Sequence, residues 1–503
     1  MKYFSTIDNK KGITFLIFFV IASLTLSGYT LLNESIRLDE AQSLWVATKS
    51  VPGIIAYIVQ DVHVPLYEIL LHFWISLFGN SIFTARLLSF LFFLLSLPVL
   101  YLTAKKSSNT LIAFFTVSLY ALSPFILWYS FETRMYTLLT LVATLSHYYF
   151  ITMINSRGRK GYVEYFFTVL FGLYTHYFFI LLLFSQILYL FLWYFTKNQT
   201  LNSQTVYVEK SRKKIFFYLS PVLLAGMFFT PWLIYFFFQG LASNSQPLIP
   251  PVTSFNLFQA VINFLFGFQS NIAVSILVSF WPVTVIPIFL IFSKKNIYIP
   301  IRHLWYFILT TGLPLLLVFA ISFFRPIFLT RYLIFITPSF FFLFAWLLFH
   351  ISKQTSTALL SFFALCMFLS MFYQNISHNT PVKENYEAVS SYLEKKASSN
   401  DVIAITSPFT IYPFEYYYEG TSSIVTIPEW NVYQSGSIPP YSQNKLADNI
   451  ENYSKVYDNI FVVLSYDQGY EENIKRYMDT HFQRLTLKKF SPGLELREYK
   501  LRY

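Results

Sequence analysis

Residues 13–40, ITFLIFFVIASLTLSGYTLLNESIRLDE, decide the fold class of this chain. The first 20 of them are apolar enough to cross a bilayer as one helix, which takes about 20 residues. Glu34, Arg37, Asp39 and Glu40 follow within the next eight positions. An apolar span that ends in paired carboxylates predicts a membrane protein with a polar site at the end of its first helix.

The composition of the 503-residue chain agrees with a multi-pass membrane protein. Hydrophobic residues make up 55% of it and charged residues 12%, about half the usual charged share of roughly 25%. A soluble core cannot bury this much apolar surface. The net charge of +11 arises before residue 381, where the positive-inside rule explains it better than nucleic-acid binding. Cys366 is the single cysteine, so an intrachain disulfide and a Cys-based metal site are excluded.

About eleven apolar segments are predicted to span the membrane. They are residues 13–32, 82–104, 110–128, 134–154, 162–176, 177–196, 215–238, 273–292, 304–323, 328–350 and 355–373. Basic residues collect in alternate connections, which predicts a cytoplasmic N-terminus in the plasma membrane. We expect residues 1–373 to form this membrane domain, with an outer loop at 33–82 that carries a surface helix over residues 64–78.

Residues 374–503 are predicted to form a small extracytoplasmic α/β domain. Strand-like segments at 402–406, 424–427, 460–464 and 485–487 alternate with helical segments at 386–396, 409–418, 446–453 and 471–481. The sequence of this region has no phosphate loop, no metal-ligand spacing and no nucleophile elbow. We interpret it as an accessory or acceptor-docking domain.

The acidic residues of the membrane region are few and unevenly placed. Only nine precede residue 380. Six of these nine fall in the predicted outer loops: Glu34, Asp39, Glu40, Asp61, Glu68 and Glu132. Carboxylates gain nothing from the anionic phosphates of lipid headgroups, so we expect the Asp39-Glu40 pair to serve a cation, a metal or proton transfer.

Several short motifs occur in an order that resembles the GT-C superfamily of glycosyltransferases, which includes bacterial family 39 enzymes, protein O-mannosyltransferases and the aminoarabinose transferase of lipid A. The motifs are Asp39-Glu40, D-x-H-x-P-L-Y (61–67), W-x-x-x-F-G-x-S followed by Ala85-Arg86 (74–86), S-P-F-x-x-x-Y-S-x-E-x-R-M-Y (123–136), Thr175-His176-Tyr177, Thr230-Pro231-Trp232, and Arg331-Tyr332 with Pro338. Their order, more than any single motif, carries the resemblance. Two departures are Val64, where the family usually has a second proline, and Phe131, where it often has glutamine.

The resemblance implies a GT-C fold and an enzyme that moves a sugar from a polyprenyl-phosphate donor to an acceptor on the outer face, with inversion at the anomeric carbon. It implies Asp39 as the base for the acceptor hydroxyl. Supporting roles toward the acceptor are predicted for Glu40, Asp61, His63, Tyr67 and Glu132. No cofactor is required, although Glu40, Asp61 and His63 are candidate ligands of a divalent metal.

The departing lipid phosphate needs a cationic site. Arg134 and Arg331 are our candidates, because a guanidinium binds phosphate oxygens bidentately and stabilises the charge that develops as the glycosyl bond breaks. Additional hydrogen bonds are predicted from Tyr129, His176 and Tyr332. The expected partners are therefore the lipid-linked donor, membrane lipids, and an acceptor that is a lipid, a glycan or a protein.

Other functions stay open beside this one. A transporter or flippase of lipid-linked sugars usually shows internal repeats and polar residues near the bilayer midplane, and no clear repeat occurs here. A polysaccharide polymerase or ligase shares the substrates but does not explain the motif order. A non-catalytic scaffold is the third alternative.

Overall fold

A computed structural model of the chain describes residues 6–60, 63–156, 159–196, 212–239, 249–269, 273, 276, 301–351, 356–377, 381–431 and 438–502. Within these ranges six helices are long and apolar enough to cross a membrane, and two further helices bent by 64° form one more candidate span. The predicted multi-pass helical fold is confirmed, whereas the count of eleven spans is not. Most of the predicted span 273–292 lies outside the described residues.

The helices of the membrane region follow the apolar segments. They are α1 (Thr6–Leu32), α2 (Leu38–Ala47), α3 (Val51–Ile58), α4 (Leu66–Phe78), α5 (Ile82–Ser107), α6 (Thr110–Leu122), α7 (Pro124–Ser130), α8 (Tyr136–Asn155), α9 (Tyr162–Thr175), α10 (Phe179–Thr196), α11 (Arg212–Gln239), α12 (Ser254–Phe266), α13 (Ile301–Ser322), α14 (Thr337–Ile351) and α15 (Ser356–Ile376).

Two predicted spans are interrupted, each beside a motif. The span 110–128 breaks at Ser123, because Pro124 forces the residue before it into an extended conformation. The Ser123 side chain then accepts a hydrogen bond from Ile126 N and starts α7. The span 328–350 begins with a 3₁₀ segment, Thr330–Ile336, ahead of α14. Both breaks place motif residues at the end of the helical bundle.

The 33–82 loop, which we define by these residues from here on, is itself helical. The predicted surface helix at 64–78 is observed as α4, while α2 and α3 were not predicted. The loop ends where the Ser81 hydroxyl accepts a hydrogen bond from Thr84 N at 3.1 Å and caps α5. The described residues of the loop therefore form three helices and not an irregular connection.

The C-terminal domain is an α/β layer, as predicted. Its elements are α16 (Tyr386–Lys396), β1 (Asp401–Thr406), a 3₁₀ turn (Pro408–Thr410), α17 (Ile411–Tyr417), β2 (Ser423–Ile427), α18 (Gln443–Val456), β3 (Asn459–Ser465), α19 (Glu471–His481), β4 (Gln483–Ser491) and β5 (Leu494–Lys500). The strand order is β2-β1-β3-β5-β4. Strands β2, β1 and β3 are parallel, and β5 pairs antiparallel with β3 and β4. Strand β5 was not predicted.

Three tyrosines of α17 dock the C-terminal domain on the 33–82 loop. The hydroxyls of Tyr412 and Tyr57 share a hydrogen bond at 2.7 Å. The Tyr416 hydroxyl accepts from Ile82 N at 2.9 Å, and the Tyr417 hydroxyl accepts from Ile36 N at 2.8 Å. The domain and the loop therefore lie at the same end of the bundle, around the carboxylates that the sequence singles out.

Candidate active site

Helix α2 presents Asp39 and Glu40 from its first turn. The backbone N–H of Arg37 donates to Glu40 Oε2 at 3.0 Å, which caps the helix and fixes its start. Consecutive residues of an α-helix point about 100° apart, since there are 3.6 residues per turn. The two carboxylates therefore face different surroundings.

Glu40 is fully buried in a charged network with Arg86. Arg86 donates to Oε1 from Nε at 2.9 Å and to Oε2 from Nη2 at 2.7 Å, and Thr133 N adds a bond at 3.0 Å. The same guanidinium donates to the carbonyls of Glu34 and Ser35. Burial alone would raise the pKa of the Glu40 carboxyl, but Arg86 and then Arg37 hold it below its ordinary value.

Asp39 instead meets Arg331 near the surface. Arg331 Nη1 donates to Asp39 Oδ2 at 3.1 Å, and the two side chains are 36% and 30% exposed. Arg331 lies on the 3₁₀ segment Thr330–Ile336. Its Nε is buried and has no hydrogen-bond partner among the described residues. Asp39 and Arg331 thus form an accessible ion pair, in which the Arg331 Nε–H is a donor not used by the described residues.

Arg37 links two further carboxylates. Its Nη1 donates to Glu132 Oε2 at 3.1 Å and its Nη2 to Glu34 Oε2 at 3.3 Å, while its guanidinium lies 3.4 Å from the centre of the Trp128 ring. Burial raises the pKa of Glu132 to about 7, against the opposing effect of Arg37. Glu132, predicted to support the acceptor, is therefore a buried carboxyl that titrates near neutrality.

Arg134 is engaged within the protein. It donates from Nη1 to Ser43 Oγ at 2.9 Å and from Nη2 to His63 Nε2 at 2.8 Å. Tyr67 is fully buried, and its hydroxyl shares a hydrogen bond of 2.7 Å with Ser89 Oγ. The structure thus brings His63 and Arg134 together, and it gives Tyr67 a packing position and not an exposed one.

The aromatic candidates fall into two groups. The rings of Tyr332 and His176 lie 5.5 Å apart beside Arg331, whose guanidinium is 5.8 Å from the Tyr332 ring centre. His176 Nδ1 accepts from Phe178 N at 3.1 Å. Tyr129 is buried, with its ring 4.7 Å from that of Tyr136. Tyr332 therefore borders the Asp39–Arg331 pair, with His176 packed on Tyr332, and Tyr129 interacts electrostatically with both members of the pair.

A divalent metal fits the predicted ligands poorly. Both oxygens of Glu40 are held by Arg86 and backbone N–H groups, and His63 Nε2 is bonded to Arg134. Asp61 lies outside the described residues. Across the part of the chain that is described, no group of three His, Cys, Asp or Glu side chains is arranged to hold a metal ion.

Sequence reasoning noted Arg86 only as a motif residue and missed its role. It lies in the span Ile82–Ser107 and is fully buried. A charge in a membrane helix is costly unless a partner neutralises it. That cost was a signal that one of the loop carboxylates would be used structurally.

An apolar groove of about 290 Å³ runs beside the site between the 33–82 loop and helices α9 and α11. Its lining residues are Ile55, Pro65, Leu66, Ile69, Tyr174, Pro231, Trp232 and Tyr235. Two of the motifs, around Pro65 and Pro231-Trp232, contribute to its wall.

Comparison with known proteins finds one matching family and several solved structures with a similar fold. Residues 62–235 match the family described as dolichyl-phosphate-mannose-protein mannosyltransferase. No curated protein matches the chain. The crystal structure of ArnT from Cupriavidus metallidurans in the apo state is similar over 96% of this chain and 97% of that chain, with 12% identity and a TM-score of 0.61.

Two other solved structures are similar. ArnT from Cupriavidus metallidurans bound to undecaprenyl phosphate covers the same shares at 11% identity and a TM-score of 0.58. The Archaeoglobus fulgidus oligosaccharyltransferase in complex with Zn and sulfate has a TM-score of 0.46 and 11% identity, over 92% of this chain and 70% of that chain. The resemblance predicted from the motif order is confirmed by the family match over residues 62–235, and the chain has the fold of ArnT.

Proposed function

We propose that this protein transfers a sugar from a polyprenyl-phosphate donor to an acceptor hydroxyl on the extracytoplasmic face of the membrane. The observation that carries the proposal is the Asp39–Arg331 pair, a base and a cation that are each about one-third exposed and lie 3.1 Å apart. A carboxylate and a guanidinium side by side are what a glycosyl transfer from a phosphate needs. The basic loops support the predicted orientation.

Asp39 is the proposed base. It accepts the proton of the acceptor hydroxyl while that oxygen attacks the anomeric carbon from the face opposite the phosphate. The bond between the anomeric carbon and the phosphate oxygen breaks, and the electron pair leaves with the polyprenyl phosphate. Attack from the opposite face inverts the anomeric configuration.

Arg331 is the proposed site of the donor phosphate. Its buried Nε has no partner among the described residues, so a phosphate oxygen there would satisfy a donor that otherwise costs about 1–3 kcal/mol. Tyr332 and His176 border the same position. Arg134 and Tyr129 are bonded or packed within the protein, so we assign them a supporting role near the phosphate.

The apolar groove is the proposed position of the lipid chain. Its lining is almost wholly apolar, and it opens beside the 33–82 loop. ArnT, whose fold this chain has, is known in a crystal structure bound to undecaprenyl phosphate. Both observations support a lipid-linked donor. Glu40, His63, Tyr67 and Glu132 are proposed to hold the acceptor side of the site in place.

The experiment is a donor panel with the purified full-length protein in lipid nanodiscs. Undecaprenyl-phosphate sugars of several types are incubated with the protein, and release of undecaprenyl phosphate is measured. We expect release from at least one donor and a loss of about 10²–10⁴-fold in the Asp39→Asn variant, the usual contribution of a general base. Glu164→Gln is the matched control, because Glu164 is an exposed carboxylate in the first turn of α9, away from the site.

Two results would contradict the proposal. Movement of an intact lipid-linked sugar across the bilayer without release of undecaprenyl phosphate would favour a transporter or flippase. Full release by a correctly inserted Asp39→Asn protein would remove Asp39 as the base.

A further inference from the structure

Two residues of the C-terminal domain have a strained backbone where neighbouring strands end. Ser407 follows β1 with φ 55°, and Tyr466 follows β3 with φ 52°. The Ser407 hydroxyl donates to the Tyr466 carbonyl at 2.6 Å, which ties the two together. Left-handed backbone is uncommon for residues other than glycine and concentrates at functional sites. Ligands of open α/β sheets bind beyond the carboxyl ends of parallel strands, which is this edge.

A chain of ion pairs connects the C-terminal domain, near the ends of β1 and β3, to the candidate active site. Lys383 Nζ lies 2.7 Å from Glu34 Oε1, and Glu34 pairs in turn with Arg37 at 3.3 Å. Arg37 continues the chain to Glu132 at 3.1 Å. The residue after Lys383 is Glu384, which is therefore carried to the same place.

Glu384 and Tyr466 meet beside the base. The Glu384 carboxyl is within hydrogen-bond reach of the Tyr466 hydroxyl and interacts electrostatically with Arg37. Tyr466 also interacts electrostatically with Asp39. Its side chain is accessible, since 39% of the residue is exposed. A phenol and a carboxyl from the C-terminal domain thus lie next to Arg37 and Asp39 of the 33–82 loop.

We infer that the acceptor binds at the C-terminal ends of β1 and β3, where it contacts the Tyr466 hydroxyl and the Glu384 carboxyl. This surface, the acceptor wall, forms one side of the active site. The acceptor is an uncharged, hydroxyl-rich molecule such as a sugar. The inference rests on the proposed function, because it assumes that Asp39 activates a hydroxyl. It gives the C-terminal domain a direct part in substrate binding.

The charges around Tyr466 and Glu384 determine which class of acceptor can bind. The nearby cations Arg37 and Lys383 already contact carboxyls of the protein, Lys383 that of Glu34 and Arg37 those of Glu34 and Glu132. An anionic acceptor would meet Asp39 and Glu384 on this wall, where the cations among the described residues, Arg37 and Lys383, already contact carboxyls, and like charges a few ångströms apart repel strongly where water is partly excluded. A sugar hydroxyl, by contrast, both donates to a carboxylate and accepts from a phenol. The Phe409 ring, 6.1 Å from that of Tyr466, adds an apolar face.

The first test measures acceptor binding directly, without catalysis. Saturation-transfer NMR on the full-length protein in nanodiscs compares methyl glycosides of common hexoses with glycerol 3-phosphate. We expect a glycoside to bind the wild-type protein and Tyr466→Phe or Glu384→Gln to weaken that binding about two- to tenfold, the range for one net hydrogen bond. Binding of undecaprenyl phosphate, measured on the same samples, should stay unchanged.

The matched control is Tyr453→Phe. Tyr453 donates its hydroxyl to Glu429 Oε1 at 2.8 Å, so the same domain contains a second Tyr–Glu pair on the opposite layer of the sheet. This variant loses the same hydroxyl and should bind the glycoside like the wild-type protein. An equal loss in Tyr453→Phe would mean that the effect is one of domain stability and would overturn the inference.

The second test is kinetic. In a transfer assay Tyr466→Phe should raise KM for the glycoside and change kcat less than twofold. Preference for glycerol 3-phosphate, failure of every glycoside to bind, or a lower kcat with unchanged KM would each refute the acceptor wall. If glycosides bind through Tyr466 but no donor releases undecaprenyl phosphate, the proposed function fails, while sugar binding by Tyr466 and Glu384 is still shown.

Discussion

Asp39 and Glu40 are neighbours in one helical turn, and the structure uses them in opposite ways. Glu40 and its partner Arg86 have fully buried side chains joined by two hydrogen bonds. Asp39 and its partner Arg331 are about one-third exposed and are joined by a hydrogen bond of 3.1 Å from Arg331 Nη1 to Asp39 Oδ2. The pair of carboxylates that first marks the site in the sequence is therefore one structural group beside one accessible group.

The difference between the two pairs follows from burial. A buried ion pair cannot lose one partner without leaving an unpaired charge in a low-dielectric interior. A half-exposed pair opens at little cost, because water takes the place of the lost partner. In the proposed reaction, Asp39 can therefore exchange Arg331 for an acceptor hydroxyl, and Arg331 can exchange Asp39 for a donor phosphate. Glu40 and Arg86 instead hold the 33–82 loop on α5.

The largest expected effect is the loss of stability when the buried Glu40–Arg86 pair is disrupted. Glu40→Gln leaves the Arg86 charge buried without its carboxylate, which typically costs about 3–5 kcal/mol. Asp39→Asn removes the accessible partner and should cost less than about 1 kcal/mol. Unfolding of both variants in mixed micelles with increasing SDS measures the two free energies side by side.

The outcome that contradicts the comparison is equal destabilisation by the two substitutions. It would mean that Asp39 is also a structural group. Loss of stability in Glu40→Gln with normal stability in Asp39→Asn would sharpen the division of roles.

The fold of the membrane region was predictable because its signals are local. A run of about 20 apolar residues is long enough to span a bilayer whatever surrounds it. The helices at Tyr386–Lys396 and Glu471–His481 were likewise predicted to the residue, since both have a clear amphipathic pattern. Strand β5 was missed because four of the seven residues in Leu494–Lys500 are charged.

The partners within the site were not predictable, because they depend on contacts between distant parts of the chain. Asp39 and Arg331 are 292 positions apart. The buried Arg86 required a carboxylate, but Glu34, Asp39 and Glu40 all lie close enough in sequence to provide it. The rotation of α2 about its axis decides among them, and that rotation depends on packing against α4 and against α17 of the C-terminal domain.

Glu132 provides an intermediate case that sharpens the comparison. It is buried like Glu40 but has one guanidinium contact, so its pKa is raised to about 7 and not lowered. The folded protein therefore binds a proton that the unfolded chain, with an ordinary pKa of 4.5, releases between these two pH values. Stability should fall as pH rises from about 4.5 to 7, by up to about 3 kcal/mol, and Glu132→Gln should remove this part of the fall.

The measurement is the melting temperature of the wild-type protein and of Glu132→Gln in nanodiscs across pH 4.5 to 8. The two curves should separate in slope below pH 7 and run parallel above it. Parallel curves across the whole range would show that Glu132 is ionised throughout and that burial has the same consequence at Glu132 as at Glu40.

The smallest expected effect is on the binding of undecaprenyl phosphate, and it tests Arg331, the cation of the accessible pair. Arg331→Lys keeps the charge next to Asp39 but replaces a planar, two-pronged donor by a point charge. If the Nε edge of the Arg331 guanidinium holds the donor phosphate with two hydrogen bonds, undecaprenyl phosphate should bind the variant about tenfold more weakly, since a lost bidentate contact is then worth roughly 1.4 kcal/mol. Arg325→Lys is the matched control, because Arg325 is an exposed arginine just before the same segment. Equal binding by Arg331→Lys and the wild-type protein would mean that Arg331 serves only to pair with Asp39, and the two ion pairs would then differ in exposure but not in function.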